Sequence, residues 1–132
     1  MKILMFHVSH FWYIAEEDES KESAKETLGE SLLVWIQSER HDQDDRSGVL
    51  RKMVKNIRWL CDKVNVDSVV LHSFAHLSDS KSRSSFAKSI IVETAKRLQD
   101  RGFKVHIVPF GQFNEFEMHV EAPSLAKVFK SF

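Results

Sequence analysis

Apolar and polar positions change period several times along the chain, and each change marks an element. "KILMFHVS" and "FWYIAEE" alternate with the two-residue period of strands, and they predict two strands meeting near Ser9-His10. "EEDESKESAKETLGE" is acidic, serine-rich and nearly free of large apolar side chains. It predicts an exposed loop, with a helical turn at Ala24 to Leu28 as its only local order. "SLLVWIQSE" predicts a third strand, apolar enough to be buried on both faces. After the polar stretch "RHDQDDRSG", Val49, Leu50, Met53, Val54, Ile57, Leu60, Cys61 and Val64 follow the spacing of one buried stripe. They predict a helix from about Ser47 to Val64.

"DSVVLHSF" predicts the fourth strand. "SSFAKSIIVETAKRLQDRGF" predicts a second long helix, capped by Ser82 or Ser84 and closed at Arg101-Gly102. "KVHIVPF" and the cleanly alternating "FNEFEMHVE" are strands five and six, and "PSLAKVFKSF" predicts a short final helix opened by Pro123. The order ββ-β-α-β-α-β-β-α gives an α/β (α+β) fold: a mixed sheet of about six strands, two long helices and a short C-terminal helix. No repeat or linker divides it, so residues 1–132 read as one domain.

Composition narrows the partners. No apolar run approaches the ~20 residues of a membrane span, and "MKILMFHVSHFWYIA" has no small-residue cleavage site. No membrane partner is expected. Cys61 is the single cysteine and cannot form an internal disulfide, which suits an intracellular, cytoplasmic chain. Formal net charge is zero but unevenly placed: residues 1–45 hold 4 basic and 11 acidic side chains, net −7, and the remainder is +7. The neutral total argues against a free-standing, high-affinity nucleic-acid binder. The basic remainder suits a nucleic acid held partly by something else.

Candidate chemistry is sparse. Seven histidines include the pairs His7/His10 and His72/His76, yet there is no cysteine pair and no HExxH, so neither metal nor cofactor is expected. Cys61 falls on the apolar stripe of a helix, where a thiol is buried and inert. Four glycines form no phosphate-cradling loop. Two strand ends stand out instead. "SFAHLSDS" ends an apolar run in a histidine and opens into small polar residues, and Pro109-Phe110-Gly111 interrupts a second apolar run. Together they predict a pocket for a small polar ligand, lined by freed backbone groups.

The segments Phe74-Ala75-His76-Leu77-Ser78, Arg101-Gly102-Phe103 and Pro109-Phe110-Gly111 closely resemble the archaeal threonyl-tRNA synthetase N-terminal editing domain, as does His7 at the end of the first apolar run. That family is related in fold to the D-aminoacyl-tRNA deacylases, and the resemblance covers essentially the whole chain. It implies hydrolysis of mischarged L-seryl-tRNA(Thr). Serine lacks only threonine's methyl, worth about 1–3 kcal/mol or ~10–200-fold, so a second, smaller site must supply the remaining discrimination.

The resemblance implies substrate contacts from His7, Ser38, Phe74, Ala75, His76, Ala87, Pro109, Phe110, Gly111 and Phe113. Candidate catalytic side chains are His76, Asn114 and Lys127. The family carries lysine at the position of Asn114, an aromatic hydroxyl at Phe113 and glutamate at Lys127, so the implied chemistry falls to backbone groups and the 2′-hydroxyl of the terminal adenosine. Implied partners are the 3′ end of tRNA(Thr) carrying serine, a threonyl-tRNA synthetase catalytic domain in cis or in trans, and a second copy of the chain. Two other readings remain: a non-catalytic tRNA-binding or dimerisation module, and a D-aminoacyl-tRNA deacylase.

Overall fold

The computed structural model describes residues 1–15 and 25–132. Among them lie β1 (Lys2–Ala15), β2 (Lys25–Leu28), β3 (Ser31–Gln37), α1 (Arg46–Val64), β4 (Ser68–Ser73), α2 (Ser84–Gln99), β5 (Lys104–Ile107), β6 (Asn114–Val120) and β7 (Lys127–Ser131). Short 3-10 turns occupy Arg40–Asp44 and Ser124–Ala126. The loop expected over 16–24 lies outside the described residues. Lys25–Leu28, expected as part of a helical turn, is instead a strand paired with β1.

The first apolar segment is one bulged strand, not two. Residues 2–8 of β1 pair antiparallel with β3, residues 2–6 with β7, residues 11–14 with β2, and residues 8–15 with β6. Between Val8 and His10 the register slips against β6, so Ser9 is the extra residue of a β-bulge. One added residue flips the parity of a two-residue period. Phe6 and Val8 therefore share a face with Phe11 and Tyr13, and all four are buried in one cluster. Read as uninterrupted alternation, the same residues would fall on opposite faces, hence the false break at Ser9-His10.

The bulge also divides the core. Met1, Ile3 and Met5 face α1 and α2, with Leu32, Val34, Leu50, Met53, Ile57, Leu60, Leu71 and Ile90. On the other face Phe6, Val8, Phe11, Tyr13, Leu33, Val70 and Val108 form a second core, against which Phe116, Met118 and Val120 of β6 pack. Here the sheet curls over itself, and Tyr13 Oη meets Nε2 of His106 on β5 at 2.7 Å. Strands β3, β4 and β5 run parallel, and α1 and α2 connect them in turn.

Helix α1 starts where Asp45 accepts from the Gly48 N–H at 3.1 Å, and a Cβ at Gly48 would come within 2.1 Å of that carboxylate. It ends at Asn65 in the left-handed region, φ 58°. Helix α2 has no serine cap: Arg83 is the N-cap residue, without a side-chain bond, and the Ser82 hydroxyl donates to the Arg83 carbonyl. The expected C-terminal helix shrinks to the turn Ser124–Ala126, and Lys127–Ser131 becomes β7. "KVFKS" alternates as well as it spirals, and the open edge of β1 decides the matter by accepting a ladder.

The chain ends meet at one buried charge. The Met1 ammonium donates to Glu39 Oε1 (2.7 Å), Asp42 Oδ1 (2.9 Å) and the Phe132 carbonyl (2.7 Å). Desolvation pushes the Glu39 carboxyl up, but hydrogen bonds from the ammonium, Ser78 and Lys2, with the ammonium's charge, outweigh it and bring its pKa from 4.5 down to about 2. Such a group stabilises the fold above pH 4.5 and loses that contribution as pH falls toward 2. Glu39→Gln is therefore expected to destabilise the chain at pH 7 by about 3 kcal/mol. Denaturant titrations should show the gap from wild type closing below pH 4; a gap independent of pH would mean that the charge is not what stabilises.

Candidate functional site

Strands β3, β4 and β5 end at the same edge of the sheet. Ile36 pairs with Ser73 and Leu71 with Ile107; the last ladder bonds there run from the Phe74 N–H to the Ile36 carbonyl (2.9 Å) and from the Val108 N–H to the Leu71 carbonyl (3.0 Å). Beyond Phe74 the chain leaves the sheet. Its backbone groups are taken up by one side chain, Gln37 at the end of β3. The Gln37 amide nitrogen donates to the carbonyls of Ser78 (2.6 Å) and Ser80 (2.8 Å). Its oxygen accepts from the N–H groups of Leu77 (2.6 Å) and Ser78 (2.7 Å). Glu39 accepts from the Ser78 hydroxyl at 2.7 Å, and the Ser82 N–H donates to the Ser38 carbonyl at 3.0 Å.

The loop so held walls an open depression of about 560 Å³, lined by Ala75, His76, Leu77, Ser78, Asp79 and Lys81. The N–H groups of Ala75 and His76 have no hydrogen-bond partner among the described residues. Backbone donors left free beside an open hollow can hold an oxygen-bearing ligand and stabilise negative charge on it without exchanging a proton.

The residues expected here divide into three groups. Ser38, Phe74, Ala75, His76, Pro109, Phe110 and Gly111 all lie at this sheet edge, and Ala87 sits in the first turn of α2. The wall of the depression comes from the β4 end alone; Phe110 packs into the helix-side core with Phe86. Gly111 adopts φ 78°, which turns the chain toward β6. Asn114 follows three residues later, within roughly 11 Å of Gly111. Its Oδ1 is buried without a partner among the described residues, whereas Phe113 is 85% exposed.

His7 and Lys127 lie elsewhere. His7 pairs with Leu32 near the opposite end of β3 and meets Glu30 at 3.1 Å. Lys127 pairs with Phe6 and donates to the carbonyls of Ala122 (3.0 Å) and Pro123 (3.5 Å). Asn114 and Lys127 thus stand against opposite halves of β1.

Aromatic rings back the depression on the curled face. Phe74 stacks on Trp35 with centroids 4.0 Å apart, and His76 meets Phe74 edge-on at 5.0 Å. His72 is 5% exposed and is surrounded by Phe11, Phe74 and Phe116. Its Nδ1 has no partner among the described residues, and burial lowers its pKa from 6.5 to about 4. Cys61 is buried, and desolvation with the nearby Asp67 charge raises its pKa to about 12, leaving an inert thiol. Glu39, His41 and Asp42 bring ligand-type atoms together, but the Met1 ammonium already bonds both carboxylates.

Residues 1–132 match the family described as the archaea-specific editing domain of threonyl-tRNA synthetase. The chain belongs to that family. Similar proteins include threonine–tRNA ligases of Methanobrevibacter smithii (30% identical), Methanocaldococcus jannaschii (27%) and Pyrococcus horikoshii (27%), each over 97% of this chain. The chain spans only about 22% of the length of these relatives. A solved structure named c-Myc DNA unwinding element binding protein superposes with a TM-score of 0.68 at 13% identity, over 100% of this chain and 99% of that one. That likeness shows the fold: the mixed sheet with two helices that the sequence predicts. Among the described residues no helix is long and apolar enough to cross a membrane.

For this editing domain, sequence reasoning found the loop but missed what holds it. The one signal for them was that polar residues close a strand buried on both faces, which marks the place but not the backbone groups that Gln37 holds. Gln37→Ala leaves two backbone N–H groups and two carbonyls without their partner. Hydrogen exchange at Leu77 and Ser78 should then speed up by tenfold or more; protection equal to wild type would show that the loop is held by other contacts. His72 gives a second test. Between pH 6.5 and 4 the unfolded chain binds a proton that the folded chain refuses, so stability falls with pH, by at most about 3 kcal/mol. In His72→Phe the loss across that interval should shrink measurably, and an unchanged pH profile would remove His72 as its source.

Proposed function

We propose that residues 1–132 act as one editing unit that hydrolyses L-seryl-tRNA(Thr), releasing serine and leaving threonyl-tRNA(Thr) intact. The observation that carries the reading is the clamped β4 loop. It presents unpartnered backbone donors at Ala75 and His76 around a hollow sized for a small ligand, in a chain whose family is an editing domain. The ester carbonyl sits against these donors, which stabilise the oxyanion formed when water attacks. The 2′-hydroxyl of the terminal adenosine orients that water and shares in its proton transfer. The family's side-chain positions offer no substitute: Asn114 does not titrate, Phe113 has no hydroxyl, and Lys127 donates to its own turn. His76 stands at the wall and serves as a hydrogen-bonding side rather than as the base. The 3′ end of tRNA(Thr), a synthetase catalytic domain in cis or in trans, and a second copy of the chain are the partners of this reading, with the cytoplasm as its compartment.

One observation favours a second reading, a binding module without hydrolysis. Lys127, at the position where the family has glutamate, is turned away on the 122–123 carbonyls. Deacylation assays separate the two. The chain is expected to hydrolyse seryl-tRNA(Thr) and to spare threonyl-tRNA(Thr) and D-aminoacyl-tRNAs. His76→Ala, Asn114→Ala and Lys127→Ala should each keep measurable activity. A 2′-deoxy terminal adenosine should slow the reaction by about 10²-fold or more, the share of a general acid–base group. Normal turnover of the deoxy substrate together with a dead His76→Ala would make His76 the base instead.

A further inference from the structure

A cavity of about 800 Å³ opens between α1, from Arg51 onward, and the C-terminal end of α2, away from the β4 loop. Arg51, Lys55 and Arg58 of α1 line one side, and Arg97 and Arg101 the other, while Asp62 and Asp67 are the only acidic residues in its wall. Arg97 is paired with Glu93 at 3.3 Å. Among the described residues the other four cations form no ion pair. Cations near helix C-termini complement the macrodipole, which accounts for Arg97 and Arg101. It does not account for Arg51, Lys55 and Arg58, which occupy the middle of α1 at spacings of four and three. Like charges at those spacings destabilise a helix by a few tenths of a kcal/mol each. The row therefore opposes the stability of its own helix slightly, Asp62 offsets it only beside Arg58, and a bound anion would relieve the rest.

We infer that this groove binds the phosphate backbone of an RNA, holding the body of the tRNA while its 3′ end reaches the β4 loop. The two regions stand at opposite ends of α2, and from Ser84 to Arg97 the helix runs roughly 20 Å. A polymeric anion is long enough to engage both. A protein partner suits the groove less, because charged residues are depleted from the buried cores of protein interfaces and five cations line this one. Trp59, the one exposed large apolar residue here, already lies under the Lys130 ammonium at 5.1 Å. The identity of the RNA rests on the editing reading; the preference for a polyanion rests on the charges alone.

The test is fluorescence anisotropy of unacylated tRNA(Thr) with the full chain between 50 and 200 mM salt. Replacing Arg51, Lys55 and Arg58 together by glutamine should weaken binding by tenfold or more and lower the log–log salt slope by about two to three. The pair Arg97→Gln and Arg101→Gln, on the other wall, provides an independent variant should the first fold poorly, with an expected loss of about one to two in slope. Hydrolysis of a seryl-CCA trinucleotide by the unchanged chain, measured in parallel, reads the editing activity by itself. If that hydrolysis is absent but the salt slope still depends on these arginines, the editing reading fails and the groove stands. Unchanged tRNA affinity and slope in both variants overturn the groove, including the case where they lose association with the rest of a synthetase instead.

Discussion

An ammonium group taken out of water must find an acceptor for each of its three protons, and here that requirement organises one end of the molecule. The Met1 ammonium meets two carboxylates and a carbonyl, which fixes β1 against the turn after β3 and against Phe132. Glu39 then reaches Ser78 with its second oxygen. Two residues earlier Gln37 grips the same loop through four backbone groups. The rim of the candidate site hangs from three consecutive residues, Gln37-Ser38-Glu39, that carry little apolar surface. Burial excludes water from these bonds, and each partner is satisfied by another, so the penalty for burying charge is offset.

The second organising feature is the bulge at Ser9. By changing which face β1 presents, it allows one strand to serve a helix-covered core and a curled, aromatic-rich core. The second of these backs the β4 loop with Phe74, Trp35 and Phe116. It also keeps His72 neutral, because burial among phenyl rings disfavours the charged imidazole.

Much of this was legible in the sequence where local pattern and tertiary demand agree. Both long helices and β3 to β6 follow from periodicity, since their apolar stripes face the cores that the pattern implies. Errors arose where the deciding partner is distant in sequence. Ser9 looks like a strand break because a bulge is defined by its cross-strand neighbour on β6. Lys127–Ser131 looks helical because the vacant edge of β1 lies more than a hundred residues away in sequence. Ser82 and Ser84 look like caps, but the Ser82 hydroxyl turns to the Arg83 carbonyl. At the site, Phe74 to Ser78 and Pro109 to Gly111 were visible as broken apolar runs. Gln37 was not: a glutamine contacting only backbone atoms has no complementary residue type for the sequence to reveal.

That last property bears on how such a site changes over time. All four Gln37 bonds end on main-chain atoms, and the hydroxyls of Ser78 and Ser80 bond Glu39 and the Arg40 N–H, so the shape of residues 77–80 depends little on the side chains at Leu77 and Asp79. Replacements at Leu77 or Asp79 alter what the hollow displays while the trace that displays it stays in place. A loop built in this way separates its trace from what it displays: side chains at Leu77 and Asp79 can be exchanged while the frame stays intact.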